Sequence, residues 1–84
     1  MDISDFRNKK QRIDKFATVY LWSALPHDEA NGRISYVDEL SVYRIDIYTS
    51  RMTVCILPKG GKPTYKKRQS YEMIELIFKN PFKY

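Results

Sequence analysis

Side chains that can contribute to an apolar face recur at three- and four-residue spacings near the start of the chain. They are Ile3, Phe6, Lys10 through its aliphatic stem, Ile13 and Ala17. Such spacing places side chains on one face of a helix. Ser4 or Asp2 is positioned to cap the first turn. The pattern therefore predicts an amphipathic helix over residues 4–15.

A second helical pattern lies near the end of the chain. Its apolar stripe consists of Met73, Ile74, Ile77 and Phe78. Ser70 can cap the helix start, and Glu75 precedes Lys79 by four residues on the exposed side. The pair Asn80-Pro81 predicts the end of this helix, because proline cannot continue it.

Strand patterns fill the middle of the chain. In residues 41–49, one face would carry Tyr43, Ile45 and Ile47, and the other Val42, Arg44, Asp46 and Tyr48. Residues 52–57 repeat the alternation, with Met52, Val54 and Ile56 opposite Thr53, Cys55 and Leu57. Alternation with a period of two predicts half-buried antiparallel strands, here joined by a tight connection at Ser50-Arg51.

Two further strands are predicted from composition. Residues 16–24 are rich in β-branched and aromatic side chains, and Asn31-Gly32 is a turn signal that can join this strand to residues 33–37. Residues 64–68 form either an edge strand or an extended lead into the last helix. We favour the edge strand, because lysines on an edge block pairing with other chains.

The elements together predict an α+β fold. It consists of an N-terminal helix, an antiparallel meander of three to five strands, and a C-terminal amphipathic helix packed on one sheet face. The other face is expected to be open. No linker or repeat interrupts the 84 residues, so we expect one domain over residues 1–84. This length excludes catalytic folds built on a large doubly wound sheet or a barrel.

The charge of the chain is concentrated in one segment. Fifteen lysines and arginines against ten acids give a formal net charge of +5. Residues 59–68 contain five bases and no acid, which equals the whole excess. A local positive field of this size attracts polyanions, and salt weakens the attraction.

We predict that this segment and the open sheet face form a binding site. Glycines let backbone N–H groups approach a phosphate closely, and tyrosine offers a surface for stacking. The predicted site residues are Lys59, Gly60, Gly61, Lys62, Tyr65, Lys66, Lys67 and Arg68 in the segment, with Arg44 and Tyr48 on the sheet face. The plain alternative is a solvated loop whose lysines serve solubility.

The sequence offers little for catalysis or metal binding. The one histidine, His27, has no nucleophile at a useful spacing, and the one cysteine, Cys55, is expected mid-strand, where a thiol packs as an apolar residue. Lys59-Gly60-Gly61-Lys62 lacks the spacing of a nucleotide-binding loop. The pairs Asp28-Glu29 and Asp38-Glu39 lie in predicted turns, where acids commonly cap. We predict a non-enzymatic domain with no cofactor and no metal.

The sequence also indicates where in the cell the protein is expected. Its apolar runs are far shorter than the roughly 18 residues of a membrane helix. Acids rather than bases follow Met1, unlike the start of a signal peptide, and a lone cysteine cannot form an intramolecular disulfide. We expect a soluble cytoplasmic domain that does not bind membranes.

Residues 42–77 resemble the last two strands and the final helix of a double-stranded-RNA-binding domain, a fold that the HicA-type toxins share. The likeness rests on Gly61-Lys62, Lys66-Lys67 and the stripe Met73-Ile74-Ile77. That RNA-binding family carries its basic cluster in the first turn of the last helix, whereas here the cluster precedes Ser70. The histidine that the toxins need in the strand hairpin is absent from this hairpin. The resemblance implies an RNA-binding fold without ribonuclease activity, and we assign the chain to neither family.

Two functions are consistent with these patterns. The favoured one is a small basic domain that binds nucleic acid through phosphate contacts and stacking on the open face. The alternative is a small protein-binding regulator, such as a phage-type inhibitor, that places the same basic, tyrosine-rich surface against an acidic protein. The composition does not distinguish a nucleic-acid partner from a protein partner, or DNA from RNA. It also leaves the oligomeric state open.

Overall fold

The computed structural model describes residues 3–84 and has the predicted α+β fold. The helices are α1 (Ile3–Val19) and α2 (Tyr71–Lys79), followed by a short 3-10 helix (Pro81–Lys83). The strands are β1 (Ser23–Ala24), β2 (Arg33–Val37), β3 (Tyr43–Tyr48), β4 (Thr53–Pro58) and β5 (Thr64–Lys66). They form one antiparallel sheet in the order β1-β2-β3-β4-β5, so each strand pairs with its neighbour in sequence.

The register of the sheet separates an apolar face from a polar one. Ile34, Ile47 and Val54 lie side by side across β2, β3 and β4, and so do Tyr36, Ile45 and Ile56. All six are buried. The alternation predicted for β3 and β4 is therefore confirmed, because every second residue of these strands faces the core.

Both helices cover this apolar face. Helix α1 contributes Phe6, Ile13 and Ala17 to the core, and α2 contributes Ile74, Ile77 and Phe78. The predicted stripe of the last helix is confirmed, with Met73 half-buried at its margin. The opposite face of the sheet carries no helix. Apart from the buried Ser35 and Cys55, its residues are half-buried or exposed, and part of the predicted site lies among them.

The two helices run in the same direction across the sheet. At the lower end, defined by the β3–β4 turn (residues 49–52), the Lys9 ammonium donates to the carbonyl oxygen of Thr49 at 2.8 Å, and the Gln69 N–H donates to that of Met52 at 2.9 Å. At the upper end, defined by residues 38–42 and 59–63, the Trp22 indole donates to the carbonyl oxygen of Phe78. Both helices therefore begin at the lower end.

The caps of α2 follow the prediction. The Ser70 hydroxyl oxygen accepts a hydrogen bond of 3.2 Å from the Met73 N–H, and the helix ends at Lys79 before Asn80 and Pro81. For α1, the alternative cap Ser4 lies inside the helix, and the predicted cap Asp2 lies outside the described residues.

The strand predicted over residues 16–24 is wrong. Helix α1 continues to Val19, and only Ser23–Ala24 pairs with β2. Ala17 lies four residues after Ile13 and is buried beside it, so packing of the helical face outweighs the β preference of the local residues. The helix closes when the Trp22 N–H donates to the carbonyl oxygen of Ala17 at 2.8 Å, with Leu21 in the left-handed region at φ 65°.

The turn at Asn31-Gly32 is confirmed, but the residues that it joins directly are Asp28 and Arg33 and not the predicted first strand. Asp28 and Arg33 exchange two backbone hydrogen bonds of 2.8 and 2.9 Å, and Gly32 has φ 67°. The paired residues of β1 lie further from the turn, opposite Val37 and Tyr36. The edge strand β5 is also confirmed, but it ends at Lys66, two residues earlier than predicted.

Candidate functional site

The bases of residues 59–68 have no acidic partner within ion-pair distance among the described residues. Three of the five bases of α1 differ, since Arg7, Lys9 and Lys10 pair with Glu29, Asp5 and Asp14 at 3.5, 3.2 and 2.7 Å. Residues 59–68, which comprise β5 and its two flanking loops, therefore contain five unpaired bases and no acid. We call residues 59–68 the basic edge.

The basic edge runs from one end of the sheet to the other. Lys59 and Lys62 are exposed in the β4–β5 turn at the upper end, whereas Lys67 and Arg68 are exposed after β5 at the lower end. Lys62 and Lys67, the nearest members of the two pairs, are five residues apart, which corresponds to at most roughly 16 Å at about 3.3 Å per residue. A flexible polyanion that follows the edge can therefore contact both pairs.

The two glycines of the basic edge shape the turn. Gly60 has φ 74°, and a Cβ on Gly61 would lie 2.8 Å from the Pro58 Cγ. The Gly61 N–H donates to the carbonyl oxygen of Pro58 at 3.1 Å, and the Lys59 N–H donates to that of Val42 at 2.7 Å. These backbone donors are occupied, so the expected role in cradling a phosphate is not supported for them.

The open sheet face presents two of the predicted aromatic residues. Tyr65 on β5 is 62% exposed and lies opposite Cys55 on β4. Tyr48 on β3 belongs to the same face and is half-buried. The hydrogen bond between Tyr65 and Cys55 raises the pKa of the Tyr65 phenol. A phenol that stays neutral around pH 7 presents its ring without negative charge. The exposed ring of Tyr65 can accept a stacked base, whereas Tyr48 offers a smaller accessible surface.

Arg44 belongs to the same face, but its charge is partly compensated. Its Nε lies 3.0 Å from a carboxylate oxygen of Asp46, two residues along β3. Asp46 pairs with Ser35 on β2 and Cys55 on β4, so one carboxylate stands near the middle of the face. A phosphate would avoid this point, and contacts to the backbone of a polyanion belong at the edge.

Lys66 does not share the face with Tyr65. It lies opposite Val54, a core residue, and is half-buried on the side that the helices cover. Successive residues of a strand point to opposite faces, which explains why a contiguous basic segment is divided by the fold. The structure brings together Arg44, Tyr48 and Tyr65 and places Lys66 on the opposite side.

Two arginines that the sequence analysis did not select complement the site. Arg33 lies opposite Tyr48 on the open face, and Arg51 is exposed in the β3–β4 turn at the lower end. The Arg33 Nε is buried without a hydrogen-bond partner, as is the Ser35 hydroxyl. Only the strand register, which pairs position 33 with position 48, could have identified Arg33.

The groups considered for catalysis are found in the following local environments. The His27 ring is exposed and lies 5.7 Å from the Phe6 ring centroid. The Asp38 carboxylate accepts the N–H groups of Val42 and Tyr43 at 2.7 and 3.0 Å. Cys55 is buried, and its burial raises the pKa of the thiol, which lowers its reactivity.

The other acidic pair is also explained by local structure. Hydrogen bonds from Asn31 lower the pKa of the Asp28 carboxyl, and Glu29 pairs with Arg7. Among residues 3–84, no group of three or more histidine, cysteine, aspartate or glutamate side chains is arranged to hold a metal ion.

Comparison with protein-family models, with curated proteins and with solved structures gives no match. None of the helices in the described part of the chain is both long and apolar enough to cross a membrane.

Proposed function

We propose that the chain is a small non-enzymatic domain that binds single-stranded nucleic acid. The basic edge would contact phosphates through Lys59, Lys62, Lys67 and Arg68. The exposed ring of Tyr65, which belongs to the same edge, would stack on a base. The observation that carries the proposal is this adjacency of an exposed aromatic ring and uncompensated cations on a sheet face without a helix.

The shape of the site favours a single strand over a duplex. Bases reach a tyrosine face only when they are unstacked from their neighbours and unpaired. A stacked base is worth about 1–3 kcal/mol, and phosphate contacts position the strand without reading its sequence. The Arg44–Asp46 pair keeps the middle of the face less positive than the edge, so the backbone would follow the edge.

We expect no catalysis at this face, because its candidate nucleophiles are not activated. Four polar groups lie in one row across adjacent strands of the open face. They are the Ser35 hydroxyl, the Asp46 carboxylate, the Cys55 thiol and the Tyr65 phenol. The Cys55 thiol is buried with a raised pKa, and the buried Ser35 hydroxyl makes no hydrogen bond to its cross-strand partner Asp46 or to another described group that would activate it. Neither group is prepared to act as a nucleophile.

The decisive experiment compares the nucleic-acid affinity of two variants that have the same net charge but carry their substitutions at different positions. Labelled single- and double-stranded DNA and RNA are titrated at two salt concentrations. The double variant Lys62→Glu/Lys67→Glu should abolish binding. The control Lys15→Glu/Lys83→Glu changes the charge equally at exposed positions away from the edge and should retain most of it.

Tyr65→Ala tests the stacking component. It should weaken binding to single strands by roughly 5- to 150-fold, which corresponds to the loss of one stacked base. Duplex binding should change little. Affinities no tighter than about millimolar for all four nucleic acids at low salt would contradict the proposal, because non-specific binders reach about 10⁻⁴–10⁻⁶ M. An acidic protein surface would then become the better candidate partner.

A further inference from the structure

Exposed apolar side chains collect at the upper end of the molecule. Five of the eight large hydrophobic residues that are exposed in the described chain lie there. They are Val19, Leu21, Leu40, Val42 and Phe82. Leu40 is 80% exposed and Phe82 72%, values that are costly for such side chains in water. Clustering of this kind marks an interaction surface rather than scattered surface apolar residues.

Two shallow grooves give this end its shape. One lies between residues 38–40 and the end of α2, where Leu40, Tyr43 and Phe82 line it. The other lies beside Leu21. Trp22, Asp38 and Glu39 line both grooves, so the two form one continuous surface.

The charges of this surface are of both signs. Glu39 lines the first groove from the turn between β2 and β3, and Lys79 lines it from the end of α2. Neither belongs to an ion pair within the described residues. Glu39 disfavours a polyanion, and Lys79 disfavours a strongly basic partner. An occupant must combine apolar groups with both charges, and the surface itself has this composition.

We propose that a second copy of the chain binds this surface through a two-fold axis. In such an interface each residue pair occurs twice, so a self-complementary surface suffices. Leu40 of one copy would enter the groove beside Phe82 of the other, while Glu39 of each copy would pair with Lys79 of its mate. The contact would be centred on the two grooves, which neither Val42 nor its hydrogen-bonded neighbour Lys59 lines, and this inference does not depend on the proposed function.

Mass measurement of the full chain tests the assembly. Sedimentation equilibrium from about 1 μM to 1 mM covers weak and moderate self-association. The wild type should show a monomer–dimer equilibrium. Leu40→Ser should raise the dimer Kd by about tenfold or more, as expected for a central apolar contact. Ile3→Ser removes an apolar side chain exposed at the other end of α1 and should leave the Kd unchanged.

A charge exchange distinguishes this interface from any other. Glu39→Lys and Lys79→Glu should each weaken dimerisation when measured alone. An equimolar mixture of the two variants should restore it, because both ion pairs reform in the mixed dimer. A wild type that stays monomeric over the whole range would overturn the proposal. A dimer insensitive to Leu40→Ser, or a mixture that does not recover, would also overturn it.

Discussion

The indole N–H of Trp22 donates a hydrogen bond of 2.9 Å to the main-chain carbonyl oxygen of Phe78, and the two rings meet edge to face at 5.4 Å. Phe78 lies in the last turn of α2, where carbonyl groups have no partner within the helix. Trp22 directly follows the left-handed residue that ends α1. One side chain therefore satisfies the end of one helix and joins it to the end of the other.

Replacing Trp22 by phenylalanine tests this role. The variant keeps an aromatic ring but removes the donor, so the Phe78 carbonyl group is left buried and unpaired. We expect the free energy of unfolding to fall by about 1–3 kcal/mol in urea titrations. A loss below about 0.5 kcal/mol, the range of surface substitutions, would mean that water satisfies this carbonyl group.

The stripe of α2 predicts a contrast between adjacent residues. Ile74 and Ile77 are both 1% exposed, whereas Leu76 between them is 42% exposed. Ile74→Ala or Ile77→Ala should each lower the free energy of unfolding by about 2–4 kcal/mol, because a cavity remains. Leu76→Ala is the matched control and should cost less than about 0.5 kcal/mol. Equal losses at all three positions would contradict the assigned helix face.

Leu21 should be a site of stabilisation. Its φ of 65° lies in the left-handed region, where glycine is the usual residue at the end of a helix. We expect Leu21→Gly to raise the free energy of unfolding by about 1 kcal/mol in dilute solution, where self-association does not contribute. Leu21→Ala keeps the unfavourable backbone geometry and should produce no such gain. Destabilisation by glycine would show that the leucine side chain contributes more than its exposure suggests.

Tyr36 should make the fold sensitive to alkaline pH. Burial and a hydrogen bond to Asp14 raise the pKa of its phenol above the ordinary value of about 10. The unfolded chain therefore loses this proton first, so the stabilisation is complete below about pH 10 and declines as the pH rises further. Tyr36→Phe should lower stability at neutral pH by about 1 kcal/mol and flatten this decline. Parallel curves for the variant and the wild type in urea titrations from neutral to alkaline pH would contradict the prediction.

The basic edge predicts unequal effects of its lysines on salt dependence. If Lys62 and Lys67 contact phosphates of a single strand, alanine at either position should reduce the slope of log K against log salt by about 0.7. Lys66→Ala should change the slope less, because that residue lies on the side covered by the helices. Equal changes at all three positions, measured by fluorescence anisotropy, would indicate a diffuse field rather than the proposed contacts.

The sequence was sufficient for the elements whose pattern is complete within a short window. The alternation of β3 and β4 and the capped stripe of α2 are examples, since each repeats its period and carries its own stop signals. Residues 16–19 were misassigned because their β-branched and aromatic composition favours a strand. Their helical state depends on packing of α1 against the sheet and α2, which a local pattern does not contain.

The candidate site was also predictable from the sequence only in part. The uncompensated charge of residues 59–68 was visible in the sequence, because charge adds up along a segment whatever its shape. The separation of Lys66 from Tyr65, the pairing of Arg44 with Asp46 and the placement of Arg33 beside Tyr48 required the strand register. The exposed upper end was also missed, since exposure of Leu40 and Phe82 depends on what the fold leaves uncovered.

The meander topology has a consequence for the folding of the chain. Every strand pairs with the next one, so the sheet can form from contacts close in sequence. Its apolar face remains partly uncovered until α2 arrives, because the contact between Trp22 and Phe78 spans 56 residues. A chain in which the sheet has formed but α2 has not yet docked would display a row of isoleucines to neighbouring chains. Chaperone binding and aggregation should therefore be concentrated in that interval of folding.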